Sequence, residues 1–154
     1  MSEEQQIVIR PMCEEDLDRV AQIEKENFST PWSRKSFSDF LKREGVYFLV
    51  AESTEAGETE ICGYIGAYGI PDEGDITNVS VQKEYRRAGI GRLLVDELIR
   101  RTLAAGITRI FLEVRESNAP AIHLYENAGF VRTGLRKNYY TSPVEDAIIM
   151  LHEI

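Results

Sequence analysis

The segment Tyr85-Arg86-Arg87-Ala88-Gly89-Ile90-Gly91-Arg92 has the composition of an anion-binding turn. Gly89 and Gly91 let a backbone turn tightly and come close to a ligand. An amphipathic run begins directly after, and the free N–H groups of a helix's first turn carry the positive end of its dipole. Arg86, Arg87 and Arg92 add positive charge beside them. A diphosphate is the ligand such a loop suits. It is not a Walker loop, because no Gly-Lys-Ser/Thr follows, and the third glycine of the dinucleotide fingerprint is missing. The plain alternative is a glycine-softened connection with solvated arginines.

Further along, Glu113 interrupts the apolar residues Ile110, Phe111, Leu112 and Val114 of a strand over 109–114. In a strand, Ile110, Leu112 and Val114 share one side, and Phe111, Glu113 and Arg115 share the other. A glutamate in mid-strand costs stability unless it is paired or near water. That makes Glu113 either a cleft carboxylate or a surface group paired with Arg109 or Arg115. Asn118 and Tyr125 lie seven residues apart, two helical turns on one face, with Ala121 and Ile122 between them. Asn118 is a natural helix N-cap. Tyr125 is either a cleft phenol or a core residue with its hydroxyl satisfied. His123 lies off that face and reads as a surface residue.

The surrounding pattern supplies the elements that must position these groups. Residues 7–9 open with a short β run that ends at Pro11. Residues 14–28 read as a helix with Leu17, Val20, Ala21 and Phe28 inward and acids in the first turn. Thr30-Pro31-Trp32-Ser33 breaks that pattern. Ser33 then caps a second helix, with Phe37, Phe40 and Leu41 on one face. Residues 47–51 and 61–68 read as a hairpin of strands, joined by the polar stretch 52–60 as a turn. Residues 76–81 are a further strand. Ile90, Leu94, Leu98 and Arg101 mark one stripe of a helix. A strand over 109–114 precedes a short helix over 119–127, with Pro120 tolerated in its first turn. Gly129 lies where a helix stop belongs. Residues 131–136 and 147–151 are the last strands. The order β-α-α-β-β-β-α-β-α-β-β predicts an α/β fold, a mixed central sheet flanked by helices on both faces.

The chain has 154 residues, 43% hydrophobic and 29% charged, so one globular domain over 1–154 is expected. A formal net charge of -8 argues against broad nucleic-acid binding. It suits a cationic partner, or simply solubility. Cys13 and Cys62 form no metal-spaced or redox motif and are expected to be buried, inert thiols. The usual clusters of metal ligands are missing, so no metal is expected. The opening Met-Ser-Glu-Glu-Gln-Gln lacks the basic and apolar regions of a signal peptide, and no apolar run approaches a membrane span. A cytoplasmic protein without membrane contact is the expectation, and a monomer suits this size.

The pattern Arg86-x-x-Gly89-x-Gly91 after a strand is similar to the pyrophosphate-binding motif of the GCN5-related N-acetyltransferases, the GNAT family. The element order resembles that fold along the whole chain. The resemblance implies acetyl-CoA as co-substrate, its pyrophosphate held by the loop over Arg86, Arg87, Ala88, Gly89, Ile90, Gly91 and Arg92. It also implies that the preceding strand (Asn78, Val79, Ser80 and Val81) pairs with the pantetheine arm and offers a backbone N–H to the thioester oxygen. The stretch from Phe111 to Phe130 is more specific. With Pro31-Trp32-Ser33, Arg136-Lys137-Asn138-Tyr139-Tyr140 and Glu145-Asp146-Ala147, it resembles the bacterial ribosomal-protein-alanine N-acetyltransferases. That subgroup implies transfer to the N-terminal alanine of a small-subunit ribosomal protein. Glu113 would be the base and Tyr125 the acid, with Asn118 and Tyr125 touching the cofactor.

The residue types suit that chemistry. A protein α-amine has a pKa near ~8, so at neutral pH a carboxylate must first take its proton. A tyrosine near the sulfur can protonate the leaving thiolate. On the acceptor side, Trp32, Asn78, Tyr139 and Tyr140 are the candidate substrate contacts, in walls formed by residues 28–32 and 139–145. Two other functions fit the same fold: an acetyltransferase for small amines such as polyamines or antibiotics, and an acyl-CoA-binding module without catalysis. The presence of both Glu113 and Tyr125 at the expected places argues against the second.

Overall fold

A computed structural model describes residues 6–82, 85 and 89–154. Strand β1 (Gln6–Pro11) leads through a single 3-10 turn (Glu14–Asp16) into α1 (Leu17–Asn27) and then α2 (Arg34–Leu41). Strands β2 (Val46–Glu55), β3 (Glu58–Ile70) and β4 (Glu73–Val81) follow as a meander. Helix α3 (Ile90–Ala104), strand β5 (Arg109–Arg115), helix α4 (Ala119–Asn127) and strands β6 (Val131–Tyr140) and β7 (Glu145–Glu153) complete the chain. The seven strands form one sheet in the order β1-β2-β3-β4-β5-β7-β6, as the mixed α/β reading expected. Neighbours are antiparallel except β4 and β5, which the α3 crossover makes parallel.

Each sheet face has its own core. Ile90, Leu94, Val95 and Leu98 of α3, with Ile122 and Tyr125 of α4, pack on Leu49, Ile65, Ile110, Leu112 and Val114. On the other face Leu17, Val20 and Ile23 of α1 and Phe37 of α2 pack on Phe48, Val50 and Tyr64. The helix stripes meet the strands' alternate positions, so both periodicities bury their apolar sets at once.

Several boundaries differ from the sequence reading. The stretch 52–60 is mostly strand, and the turn shrinks to Ala56 and Gly57, with φ of 54° and 79°. Two consecutive left-handed residues make the tight turn whose twist matches a hairpin. Helix α1 stops before Phe28, which is extended (φ -128°, ψ 143°) and 42% exposed, so it is not an inward residue. The inward position of that turn belongs to Glu24. Strand β6 runs on to Tyr140 through an irregular stretch in which Asn138 takes φ 53°. Cys62 is buried as expected, but Cys13 is exposed. Among the described residues no helix is long and apolar enough to cross a membrane.

Candidate active site

The site begins where two neighbouring strands part. Strands β4 and β5 pair only at Glu73 with Arg109, Gly74 with Ile110 and Asp75 with Phe111. Beyond Asp75, β4 continues to Val81 and β5 to Arg115 without a shared ladder. The sheet therefore opens in its middle, at the carboxyl ends of two parallel strands where α/β folds hold ligands. An irregularity in β4 shapes this edge. Gly66 faces Asn78 and Ala67 faces Ile76, which leaves Thr77 as the extra residue of a bulge, its hydroxyl donating to Gly66 O at 3.2 Å. The bulge turns Asn78 and Ser80 toward α1 and Val79 and Val81 toward α3.

The backbone of this edge is also oriented. Gln82 N–H donates to Cys62 O at 2.7 Å. By antiparallel alternation, the backbone groups of Ser80 face β3, and those of Val79 and Val81 face the side β5 has left. An extended chain carrying amides, such as pantetheine, fits such an edge as a substitute strand.

At the end of β4, Tyr85 N–H donates to Gln82 O at 2.9 Å and its hydroxyl donates to the Glu60 carboxylate. Arg86, Arg87 and Ala88 lie outside the described residues. Gly89 is the N-cap of α3 with φ 76° and ψ 10°, a left-handed conformation in which glycine is at ease, and a Cβ there would meet nothing within 4 Å. Gly91 has a different reason. It lies inside α3, and a Cβ would stand 3.2 Å from Leu124 Cδ2 on α4, so its smallness serves helix packing rather than a turn. Ile90 is buried, and exposed Arg92 pairs with Asp96 at 2.9 Å.

Glu113 lies on β5 just past the fork, half-buried, with Arg136 Nε 3.5 Å from Oε1. The sequence alternatives Arg109 and Arg115 are engaged elsewhere: Arg109 with Glu73 and Glu153, Arg115 with Glu145. Desolvation holds the Glu113 carboxyl above its ordinary range, the negative charge of Asp75 adds to this, and Arg136 opposes both. A carboxylate raised in this way is a better base than a solvated one. Burial, the neighbouring Tyr139 hydroxyl and Glu113 push the Tyr140 phenol up to about 12. Tyr125 is 4% exposed, stacked edge-on against Phe130 at 5.8 Å. Burial, and secondarily Tyr140, hold its phenol well above the ordinary value, so it stays protonated. Asn118 caps α4 by accepting from Ala121 N–H at 3.2 Å, and His123 is exposed.

The profile of the Acetyltransferase (GNAT) family matches residues 17–130, which include the fork, the loop and both Glu113 and Tyr125. The chain belongs to this family. Among GNAT proteins it is 37% identical over 137 residues to the [ribosomal protein bS18]-alanine N-acetyltransferase of Escherichia coli strain K12, covering 88% of this chain and 89% of the other. The crystal structure of the ribosomal-protein-S18-alanine N-acetyltransferase from Escherichia coli superposes with a TM-score of 0.84 at 34% identity, over 97% of this chain and 94% of that one. A NatC complex bound to Gag peptide and CoA matches with a TM-score of 0.86 at 26% identity, over 97% and 99%. This GNAT chain is an N-acetyltransferase, and its family acts on acetyl-CoA.

The sequence reading places the acceptor side of this GNAT site between residues 28–32 and 139–145. Trp32 does not offer its ring freely. The indole packs 5.2 Å from Phe37 and from Phe40, while its backbone N–H donates to Glu24 Oε2 at 2.9 Å. Asn78 is buried and donates from Nδ2 to the same oxygen at 3.5 Å. Tyr139 is 49% exposed, and the half-buried Tyr140 meets it edge-on at 5.0 Å. Arg115 holds the loop after them. It donates to Thr141 O at 2.9 Å and Pro143 O at 3.0 Å, pairs with Glu145 at 3.2 Å, and lies 4.4 Å over the Tyr140 ring. Sequence reasoning gives no role at the fork to Glu24, Asp75 or Arg136, and considers Arg115 only as a partner of Glu113. Glu24 had a signal: it falls on the buried stripe of α1 with Leu17 and Val20.

Proposed function

We propose that this chain transfers the acetyl group of acetyl-CoA to the α-amine of an N-terminal alanine, that of ribosomal protein bS18. The observation that carries this reading is Glu113, a half-buried carboxylate with a raised pKa just past the fork between β4 and β5. The identity to the Escherichia coli enzyme, whose name specifies that alanine, supports the choice of acceptor.

The steps follow from the groups around the fork. Val79 and Val81 hold the pantetheine arm along the β4 edge, and Gly89, Ile90, Gly91 and Arg92, with Arg86, Arg87 and Ala88 before them in the sequence, hold the pyrophosphate at the start of α3. Glu113 takes a proton from the α-ammonium, directly or through one water. The amine nitrogen attacks the thioester carbonyl carbon, and the new oxyanion accepts a hydrogen bond from Val79 N–H. The C–S bond breaks, the thiolate takes the phenolic proton of Tyr125, and the second proton of the attacking nitrogen passes through water to restore the phenol, giving free CoA and the acetylated amine. Asn118 sets the start of the helix that carries Tyr125. Asn78, Trp32, Tyr139 and Tyr140 line the acceptor side, where the flat faces of the tyrosine pair suit a peptide.

The test is free-thiol release from acetyl-CoA with a peptide beginning with alanine, the same peptide N-terminally blocked, and spermidine. Release that requires the free peptide α-amine is the expected result. Release with spermidine alone would move the acceptor to small amines. Tight acetyl-CoA binding without release to any acceptor would leave a binding module.

A further inference from the structure

Glu24 is a buried carboxylate on the α1 face of the sheet. It is 3% exposed, at a position of the helix stripe that otherwise holds Leu17, Val20 and Ile23. Its carboxylate accepts three hydrogen bonds from neutral donors: the Tyr64 hydroxyl on β3, the Asn78 amide on β4 at 3.5 Å, and the Trp32 backbone N–H at 2.9 Å. Burying a carboxylate opposes folding unless such donors compensate, and an apolar side chain of the same size would serve stability as well or better. What an apolar side chain cannot do is accept a backbone N–H from the loop between α1 and α2. That loop is one wall of the acceptor side. The Trp32 ring of that loop is wedged among Phe37, Phe40 and Phe48.

Asn27, one turn further along α1, makes the companion tie. Its Nδ2 donates to the Ser80 hydroxyl and to Val81 O at 3.3 Å. Both ties end on residues 78–81, the part of β4 that lacks β5 as a neighbour. A strand edge without a ladder on one side has fewer restraints, so its position depends on what holds it from the faces.

We infer that Glu24 is a positioning residue, which fastens the acceptor-side loop at Trp32 to the acetyl-CoA edge of the sheet at Asn78 and so fixes the distance between the two substrates. This rests on the proposed peptide acceptor, but the tie itself can be read without turnover. A misplacement of about 1 Å between reacting groups costs on the order of a hundredfold in rate, so such a fastening has a function that packing alone does not explain.

Trp32 is the single tryptophan of the chain, so its fluorescence reports this loop alone. Glu24→Met keeps the volume and accepts no hydrogen bond. Glu24→Gln keeps a carbonyl for Trp32 N–H and can donate to the Tyr64 oxygen. The expected result for Glu24→Met is a rise of about tenfold or more in KM for the alanine peptide. A fall in kcat, a red-shifted and more quenchable Trp32 emission, and an unchanged acetyl-CoA Kd should accompany it. Glu24→Gln should restore emission and KM to near those of the unmodified chain. In the unmodified chain, the Trp32 amide should exchange with solvent at least about tenfold more slowly than those of Ser29 and Thr30, a measurement that needs no variant. Normal KM and emission in Glu24→Met, or a Trp32 amide that exchanges as fast as its neighbours, would overturn the inference. So would equal losses in the Gln and Met variants with unchanged emission, since the charge would then act in the chemistry itself. If the unmodified chain used no peptide acceptor, the proposed function would fall, while emission and exchange would still decide the tie.

Discussion

Arg136 stands 3.5 Å from Glu113, reaching from the edge strand β6 to the strand at the fork. The pair sets the basicity of the site, because Arg136 opposes the desolvation and the Asp75 charge that raise the carboxyl. Turnover should fall as pH drops through the Glu113 pKa, at a pH above the ordinary carboxylate value of 4.5. Arg136→Ala removes the opposing charge, so this acid limb should move to higher pH, read from kcat against pH. An unmoved limb would mean that another group titrates there.

Glu113→Gln should lower kcat by about a hundredfold or more, the usual contribution of a general base, with acetyl-CoA affinity retained. The same variant should melt at a higher temperature at neutral pH. The folded pKa is raised, so the stability this group contributes is full below the unfolded pKa and lost as pH rises through the folded one. The gain over the unmodified chain should therefore vanish in acid. Thermal melts at several pH values check the sign.

Tyr125→Phe removes one hydroxyl from a buried ring that otherwise packs on Phe130. The expected result is a fall in kcat of about a hundredfold, with little change in KM for either substrate. A variant with normal turnover would return Tyr125 to a core role and shift attention to Tyr140.

The two glycines of the loop should separate. Gly89→Ala forces a side chain onto φ 76°, a strain of about 1–2 kcal/mol, and should weaken acetyl-CoA binding by disturbing the start of α3. Gly91→Ala needs only a few tenths of an ångström from the flexible Leu124 side chain, and alanine favours a helix by about 1 kcal/mol. It should melt close to the unmodified chain. Calorimetric titration with acetyl-CoA and thermal melts compare the pair.

Arg115→Ala frees the loop 141–144 from its two carbonyl contacts and uncovers the Tyr140 ring. KM for the peptide should rise several-fold with the acetyl-CoA Kd unchanged, and hydrogen exchange should speed up in that loop. Unaltered exchange would show that β6 and β7 hold the loop without Arg115.

The order of elements, the two apolar periodicities and the candidate groups Glu113 and Tyr125 are all legible in the residue pattern. Those features are local: a helix stripe, a strand alternation, a glycine before a helix, and an acid in mid-strand can each be read over a few residues. Gly89 is such a case, because its left-handed conformation and its residue type are one property. The parting of β4 and β5 is not local. It depends on how far two segments separated by a whole helix remain paired, and only the assembled sheet decides that they stop at Asp75 and Phe111. The same holds for the bulge at Thr77, which turns Asn78 to one face and Val79 to the other. It holds for Glu24, whose three partners come from β3, β4 and the loop. It holds for Glu113, whose cationic partner is Arg136 rather than the arginines of its own strand, because β6 brings a distant segment alongside while Arg109 and Arg115 find acids elsewhere. Local pattern fixes which groups are available; long-range pairing fixes which of them meet.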